Sequence, residues 1–228
     1  MKEINLVIAA MDEEVDALLK NLESFKRVDL LNDKAYEFSI EEEDYLLCKG
    51  KIGKVATSLF LGQITSIMKI KRIFNIGTSG GLDPSMELNE IVIATKVGYH
   101  DADVVGFGYE YGQIPGCPRY FECDNEFIEK KLSKKTNLSI KRGIILSGDT
   151  FVTKKNFKNI LSHMDERALC VEMEAAAVGQ CAYMLNIPFV VVRSISDIVT
   201  KENNSEMMDN NLSASTTNSA LGFLYLVK

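Results

Sequence analysis

The strongest constraint on the fold is a change of period along the chain. Short runs of β-branched and aliphatic residues alternate with stretches whose apolar positions recur every three to four residues. INLVIAA (4–10), RIFNIG (72–77), EIVIATKV (90–97), KRGIILSG (141–148) and PFVVVRSIS (188–196) read as strands. Their near-continuous apolar character suits strands buried on both faces. After the first strand, Met11, Val15, Leu18, Leu19 and Leu22 recur at helical spacing. Similar patterns predict helices over 55–68, 125–134, 154–164, 174–185 and roughly 206–226, and EFSIEEEDYLLCKGKIG (37–53) reads as a hairpin. This alternation predicts a three-layer α/β/α sandwich around a central mixed, largely parallel sheet. No linker, repeat or low-complexity tract divides the chain, so residues 1–228 read as a single domain.

Composition narrows the choice of ligand. The chain is 46% hydrophobic and 25% charged, with a formal net charge of −6. That balance is of the soluble globular class and argues against nucleic acid or a membrane surface as partner. A small or neutral ligand fits better. The segment MKEINLVIAAMDEEV turns acidic too soon for a signal peptide or a membrane span, which predicts a cytoplasmic protein. The five cysteines contain no C-x-x-C pair and there are two histidines, so no metal site and no cofactor are expected.

Ligands of open α/β sheets bind beyond the carboxyl ends of the strands. Met11-Asp12-Glu13-Glu14 follows the first strand. Its acids either complement a helix N-terminus or place a general base in a site. Gly77-Thr78-Ser79-Gly80-Gly81 reads as a tight glycine turn or as backbone that a ligand approaches closely. ALCVEMEAAAVG (168–179) sets Glu172 and Glu174 inside an apolar run. Buried carboxylates need partners, and Arg193 could satisfy one of the two well. The surplus carboxylate is then free to hydrogen-bond a ligand hydroxyl. Asp197 ends the last strand, where it could cap a turn or, partly desolvated, act as a general acid. Carboxylates at several strand ends, without a Cys–His or Ser–His arrangement, suit acid–base hydrolysis of an uncharged bond.

These segments also carry a family resemblance. AAMDEEV, KIGKVA (51–56), NIGTSGGL (75–82), YHDADVVGFGYEYGQIPGCP (99–118), SGDTFV (147–152), VEMEAAAV (171–178) and PFVVVRSISD (188–197) occur in order over almost the whole chain. The sequence resembles the 5′-methylthioadenosine/S-adenosylhomocysteine nucleosidases of the purine nucleoside phosphorylase superfamily. The resemblance implies a nucleoside phosphorylase-like fold. It also implies hydrolysis of 5′-methylthioadenosine and S-adenosylhomocysteine to adenine and a 5-thio-substituted ribose, with 5′-deoxyadenosine as a further candidate substrate. In its terms Asp197 protonates adenine N7 and Glu14 activates water. Glu174 binds the ribose hydroxyls and Met173 packs on the sugar, with Glu172 the structural acid beside them. Phe151 stacks on adenine, Val152 offers its backbone to the adenine edge, and Ile52 walls the alkylthio pocket. Thr78, Gly80 and Ser196 complete the substrate site. Family members are homodimers, and by this resemblance Phe107, Tyr109 and Pro115, within 99–118, reach the neighbour's pocket.

The chain departs from the family pattern in places. Thr78 and Ser79 stand where the family has Ser-Ala, and Met207 or Met208 stands where a phenylalanine covers the sugar. Phosphorolysis is the competing chemistry on this fold. It needs cations around phosphate, and the chain has six arginines with an acidic first strand end. A binding protein without activity is the third reading, and the trio Glu14, Glu174 and Asp197 argues against it.

Overall fold

The computed structural model describes residues 3–163 and 167–228. Ten strands form one sheet among the described residues. They are β1 (Glu3–Ala9), β2 (Lys26–Leu30), β3 (Asp33–Ile40), β4 (Glu43–Lys49), β5 (Lys69–Gly81), β6 (Ile91–Tyr99), β7 (Tyr120–Glu122), β8 (Ile140–Ser147), β9 (Ala168–Glu172) and β10 (Phe189–Ile198). The helices are α1 (Asp12–Lys20), α2 (Lys54–Ile67), α3 (Asn125–Leu132), α4 (Phe157–Ser162), α5 (Ala175–Leu185) and α6 (Asn204–Val227). The end of the predicted fourth helix, at Met164, lies outside the described residues.

The strand order is β10-β6-β8-β9-β5-β1-β4-β3-β2, with β7 on β6. An extra pairing of β10 with β5 closes β10, β6, β8, β9 and β5 into a ring. The sheet is mixed. β1–β4, β1–β5, β5–β10, β6–β8 and β8–β9 are parallel. β10–β6, β5–β9 and the edge pairs β2–β3, β3–β4 and β6–β7 are antiparallel. Leu6 and Val7 on β1 and Val190, Val191 and Val192 on β10 are fully buried, which is why these strands lack polar alternation. Helix α6 packs on β10 and β5 beside α1 and α3, while α5 covers β6 and β8 and α2 packs on α5. Among the described residues no helix is long and apolar enough to cross a membrane.

Two features of the sequence take a different form in the structure. Thr78-Ser79-Gly80-Gly81 does not turn; it continues β5, because β10 and β9 pair with it on either side. A Cβ on Gly80 would stand 2.9 Å from Val199 Cγ1, and one on Gly81 would stand 2.9 Å from Ile198 Cδ1. The glycines therefore serve close strand packing. The run 168–179 divides into strand β9 and helix α5, with Met173 and Glu174 at the break.

Helix α5 approaches the sheet closely because it is rich in alanine and carries Gly179. A Cβ there would lie 2.7 Å from Val97 Cγ2 and 2.9 Å from Phe121 Cβ. Gly179→Ala is expected to destabilise the fold by about 1–3 kcal/mol through overpacking. Thermal unfolding checks this, and an unchanged melting temperature would contradict the packing described.

Candidate active site

The site is built around a buried cation. Arg193 lies in β10, opposite Gly77 of β5, and is 1% exposed. Its Nη2 donates to Asn75 Oδ1 at 2.7 Å, to Glu172 Oε2, and to Glu174 Oε2 at 3.4 Å. Gly77 is required beside it, since a Cβ at that position would collide with the guanidinium and with Glu14.

Glu172 ends β9 and is enclosed by donors. Besides Arg193, the backbone N–H groups of Glu174 and Ala175 donate to it at 2.9 Å, and Ser147 Oγ donates to Oε1. With its oxygens engaged in this way, Glu172 anchors the start of α5. Glu174 differs. Its Oε1 accepts from Gly53 N at 2.9 Å, and its link to Arg193 is the longer one. Burial and the repulsion of Glu172 push its carboxyl up to about 7, against the attraction of Arg193.

Glu14 sits in the first turn of α1 and is 3% exposed. Its oxygens accept backbone N–H groups from Ala10 at 2.8 Å, Met11 at 3.1 Å and Thr78 at 3.0 Å. Burial raises its pKa, while the nearby Arg193 charge and these donors oppose the rise. Asp197 lies on β10 near its end, where the pairing with β5 slips by one residue between Ile195 and Asp197. Such a slip re-aims side chains, and both Ser196 and Asp197 face the cavity. Asp197 Oδ1 lies 2.9 Å from Ser196 Oγ, and Oδ2 lies 2.7 Å from Asn204 Nδ2. Burial raises this carboxyl too, opposed by Asn204 and Ser196.

These groups line one cavity. Glu14, Ile52, Thr78, Gly80, Phe151 and Val152 are in its wall. So are Glu172, Met173, Glu174, Ser196 and Asp197. Phe107, Tyr109 and Pro115 do not line it; Phe107 is 85% exposed on the surface. Met208, at the start of α6, lines it, whereas Met207 does not. Thr150, Val199, Asn75 and Asn204 are site residues that the sequence did not single out. A polar residue inside the apolar run RIFNIG was the available signal for Asn75. Among the described residues no group of three or more His, Cys, Asp or Glu could hold a metal ion. The cavity holds several carboxyls with raised pKa values, and among the described residues the one cation in its wall is Arg193, already engaged by Asn75, Glu172 and Glu174. Such a site can donate and accept protons around a ligand without charge.

The sequence profile described as the phosphorylase superfamily matches residues 6–226. The chain belongs to the phosphorylase superfamily. Solved structures of high similarity cover its whole length. One, from Borrelia burgdorferi B31 with adenine bound, is 34% identical with a TM-score of 0.92, over 98% of this chain and 99% of that one. The 5′-methylthioadenosine/S-adenosylhomocysteine nucleosidase of Neisseria meningitidis, in complex with methylthio-immucillin-A, is 32% identical with a TM-score of 0.90, over 100% and 99%. The S. pneumoniae nucleosidase with a transition-state inhibitor is 30% identical with a TM-score of 0.92, over 100% and 99%. Within the superfamily fold, the carboxyl ends of β1, β5 and β10 supply Glu14, Thr78 and Asp197 to a single cavity.

Removing the cation tests how the site is held. Arg193→Met leaves Glu172 and Glu174 buried together without their guanidinium. The expected cost is about 3–5 kcal/mol, as for breaking a buried ion pair from one side. Denaturant unfolding measures it, and a loss below about 1 kcal/mol would mean that the carboxylates do not depend on Arg193.

Proposed function

We propose that this protein is a hydrolase that cleaves the N-glycosidic bond of 5′-methylthioadenosine and S-adenosylhomocysteine, releasing adenine and a 5-thio-substituted ribose. The observation that carries the reading is the charge content of the cavity. Among the described residues it pairs Glu14, Glu174 and Asp197 with a single arginine, already engaged by Asn75, Glu172 and Glu174, and with no further cation to hold phosphate. The similarity to nucleosidases of Neisseria meningitidis and S. pneumoniae over the whole chain supports the same choice.

Cleavage of this bond passes through an oxocarbenium-like state and needs help at both ends. Asp197 gives a proton to adenine N7 as the bond to the sugar breaks, and its burial favours the protonated form that this requires. Glu14 accepts a proton from the attacking water, while the backbone donors around it support its ionised form. Glu174 accepts hydrogen bonds from the ribose hydroxyls, with Met173 against the sugar. Phe151 stacks on the base, and Val152 meets its edge through the backbone. Ile52 borders the 5′-substituent, and Thr78, Gly80 and Ser196 complete the wall. Residues 1–228 act as one domain.

We also propose a homodimer as the active form. Val105 is 50% and Phe107 85% exposed in the block 99–118, as expected for side chains that a partner subunit covers. Phe107, Tyr109 and Pro115 then contribute to the neighbour's pocket.

Incubation with 5′-methylthioadenosine, with and without phosphate, tests the chemistry. Free methylthioribose at a phosphate-independent rate is expected, and a sugar 1-phosphate would overturn the reading. Asp197→Asn is expected to fold normally and to lose at least about 10²–10⁴-fold in kcat, the usual worth of a general acid. Turnover close to wild type would remove Asp197 from that role.

A further inference from the structure

Asn204 is the first residue of α6 and follows Asn203, which adopts the left-handed conformation with φ 54°. It belongs to the polar stretch TKENNSE, yet it is 3% exposed. Its Nδ2 donates to the Val152 carbonyl at 2.9 Å and lies 2.7 Å from Asp197 Oδ2. A carbonyl oxygen can only accept, so the nitrogen of this amide must face both partners. Asp197 Oδ2 therefore receives a hydrogen bond.

We propose that Asn204 is a positioning residue for proton transfer from Asp197. It fixes Oδ2, leaves Oδ1 to hold the transferable proton, and ties the acid and the Val152 carbonyl to the start of α6. This rests on the reading of Asp197 as the acid. The arrangement gives every proton a place. With Asp197 ionised, Ser196 Oγ donates to Oδ1 at 2.9 Å; with a proton on Oδ1, the Ser196 hydroxyl instead turns its own proton to the Ser79 carbonyl at 3.3 Å. In the reaction the Oδ1–H bond breaks, an N7–H bond forms, and the carboxylate keeps the electron pair. Ser196 then turns to donate to Oδ1, while Asn204 continues to donate to Oδ2. Both oxygens of the new carboxylate are satisfied without reorganisation of the chain. Met208, one helical turn along α6, lines the same cavity, so the seating of this turn sets the acid and the wall together.

The charged groups that share the cavity with Asp197 are Glu14 from α1, Glu172 and Glu174 at the end of β9, and Arg193 on β10. Cys170 on β9, fully buried, feels the Asp197 charge, and burial pushes its thiol up to about 12. Against Asp197 itself, burial raises the carboxyl, and the Asn204 and Ser196 hydrogen bonds lower it.

The test is the pH profile of kcat/KM for 5′-methylthioadenosine in wild type, Asn204→Ala and Asn204→Asp, with folding checked by circular dichroism. Losing the amide donor disfavours the Asp197 carboxylate, so its pKa rises. The limb that reports Asp197 is expected to move up by about one pH unit in Asn204→Ala, the size of one hydrogen bond to a charged group. It should move further in Asn204→Asp, which keeps the shape and turns the donor into a second acid. KM is expected to change less than kcat. Folded variants with the wild-type profile would overturn the proposal, even if their overall rates fall. If Asn204→Ala does not fold, the isosteric Asn204→Asp decides. Wild-type turnover in Asp197→Asn would instead remove the acid on which the inference rests.

Discussion

The Arg193 guanidinium is the interaction on which the site depends. A cation that is 1% exposed is costly to bury and must be surrounded by acceptors. Asn75, Glu172 and Glu174 supply them from β5, from the end of β9 and from the turn into α5. The demand then spreads outward. Gly77 has no side chain because the guanidinium and Glu14 take that space. Glu172, held by Arg193, receives the backbone N–H groups that open α5. One ion pair therefore aligns two strands and a helix.

The same interaction decides the chemistry. One guanidinium cannot neutralise Glu14, Glu172 and Glu174 together. Glu172 takes the short contact and Glu174 the longer one, at 3.4 Å. The carboxyl left with the weaker partner faces the cavity, and its affinity for a proton rises. Phosphate would have to compete with these carboxylates for Arg193, which is why hydrolysis follows from the same geometry. Asp197 lies outside this network; hydrogen bonds from neutral groups and burial set its behaviour.

Much of this was legible in the sequence because buried strands and helix periods leave strong patterns. β1, β5, β6, β8 and β10 are long apolar runs, and the predicted strands fall on them. β2 and β7 were not read because they are short and partly exposed, with charged residues inside them. β9 was hidden for another reason. Apolar residues continue from the strand into α5, and neither glycine nor proline marks the break at Met173–Glu174. The cavity gathers every residue that the motifs proposed for the substrate, while Phe107, Tyr109 and Pro115 do not line it. Asn204 could not be read at all. In a polar run a buried asparagine and a solvated one look alike, and only the fold of α6 against Asp197 distinguishes them.

The claim at the centre of this account is the division of one guanidinium between two glutamates. ¹³C NMR of the glutamate carboxyls tests it directly, with the Glu174 signal assigned by its absence in Glu174→Gln. In the ligand-free protein the Glu174 carboxyl is predicted to titrate at about 7. A midpoint at the ordinary glutamate value, about 4.3, would mean that Glu174 is fully compensated in its pocket and that Arg193 is not divided as described.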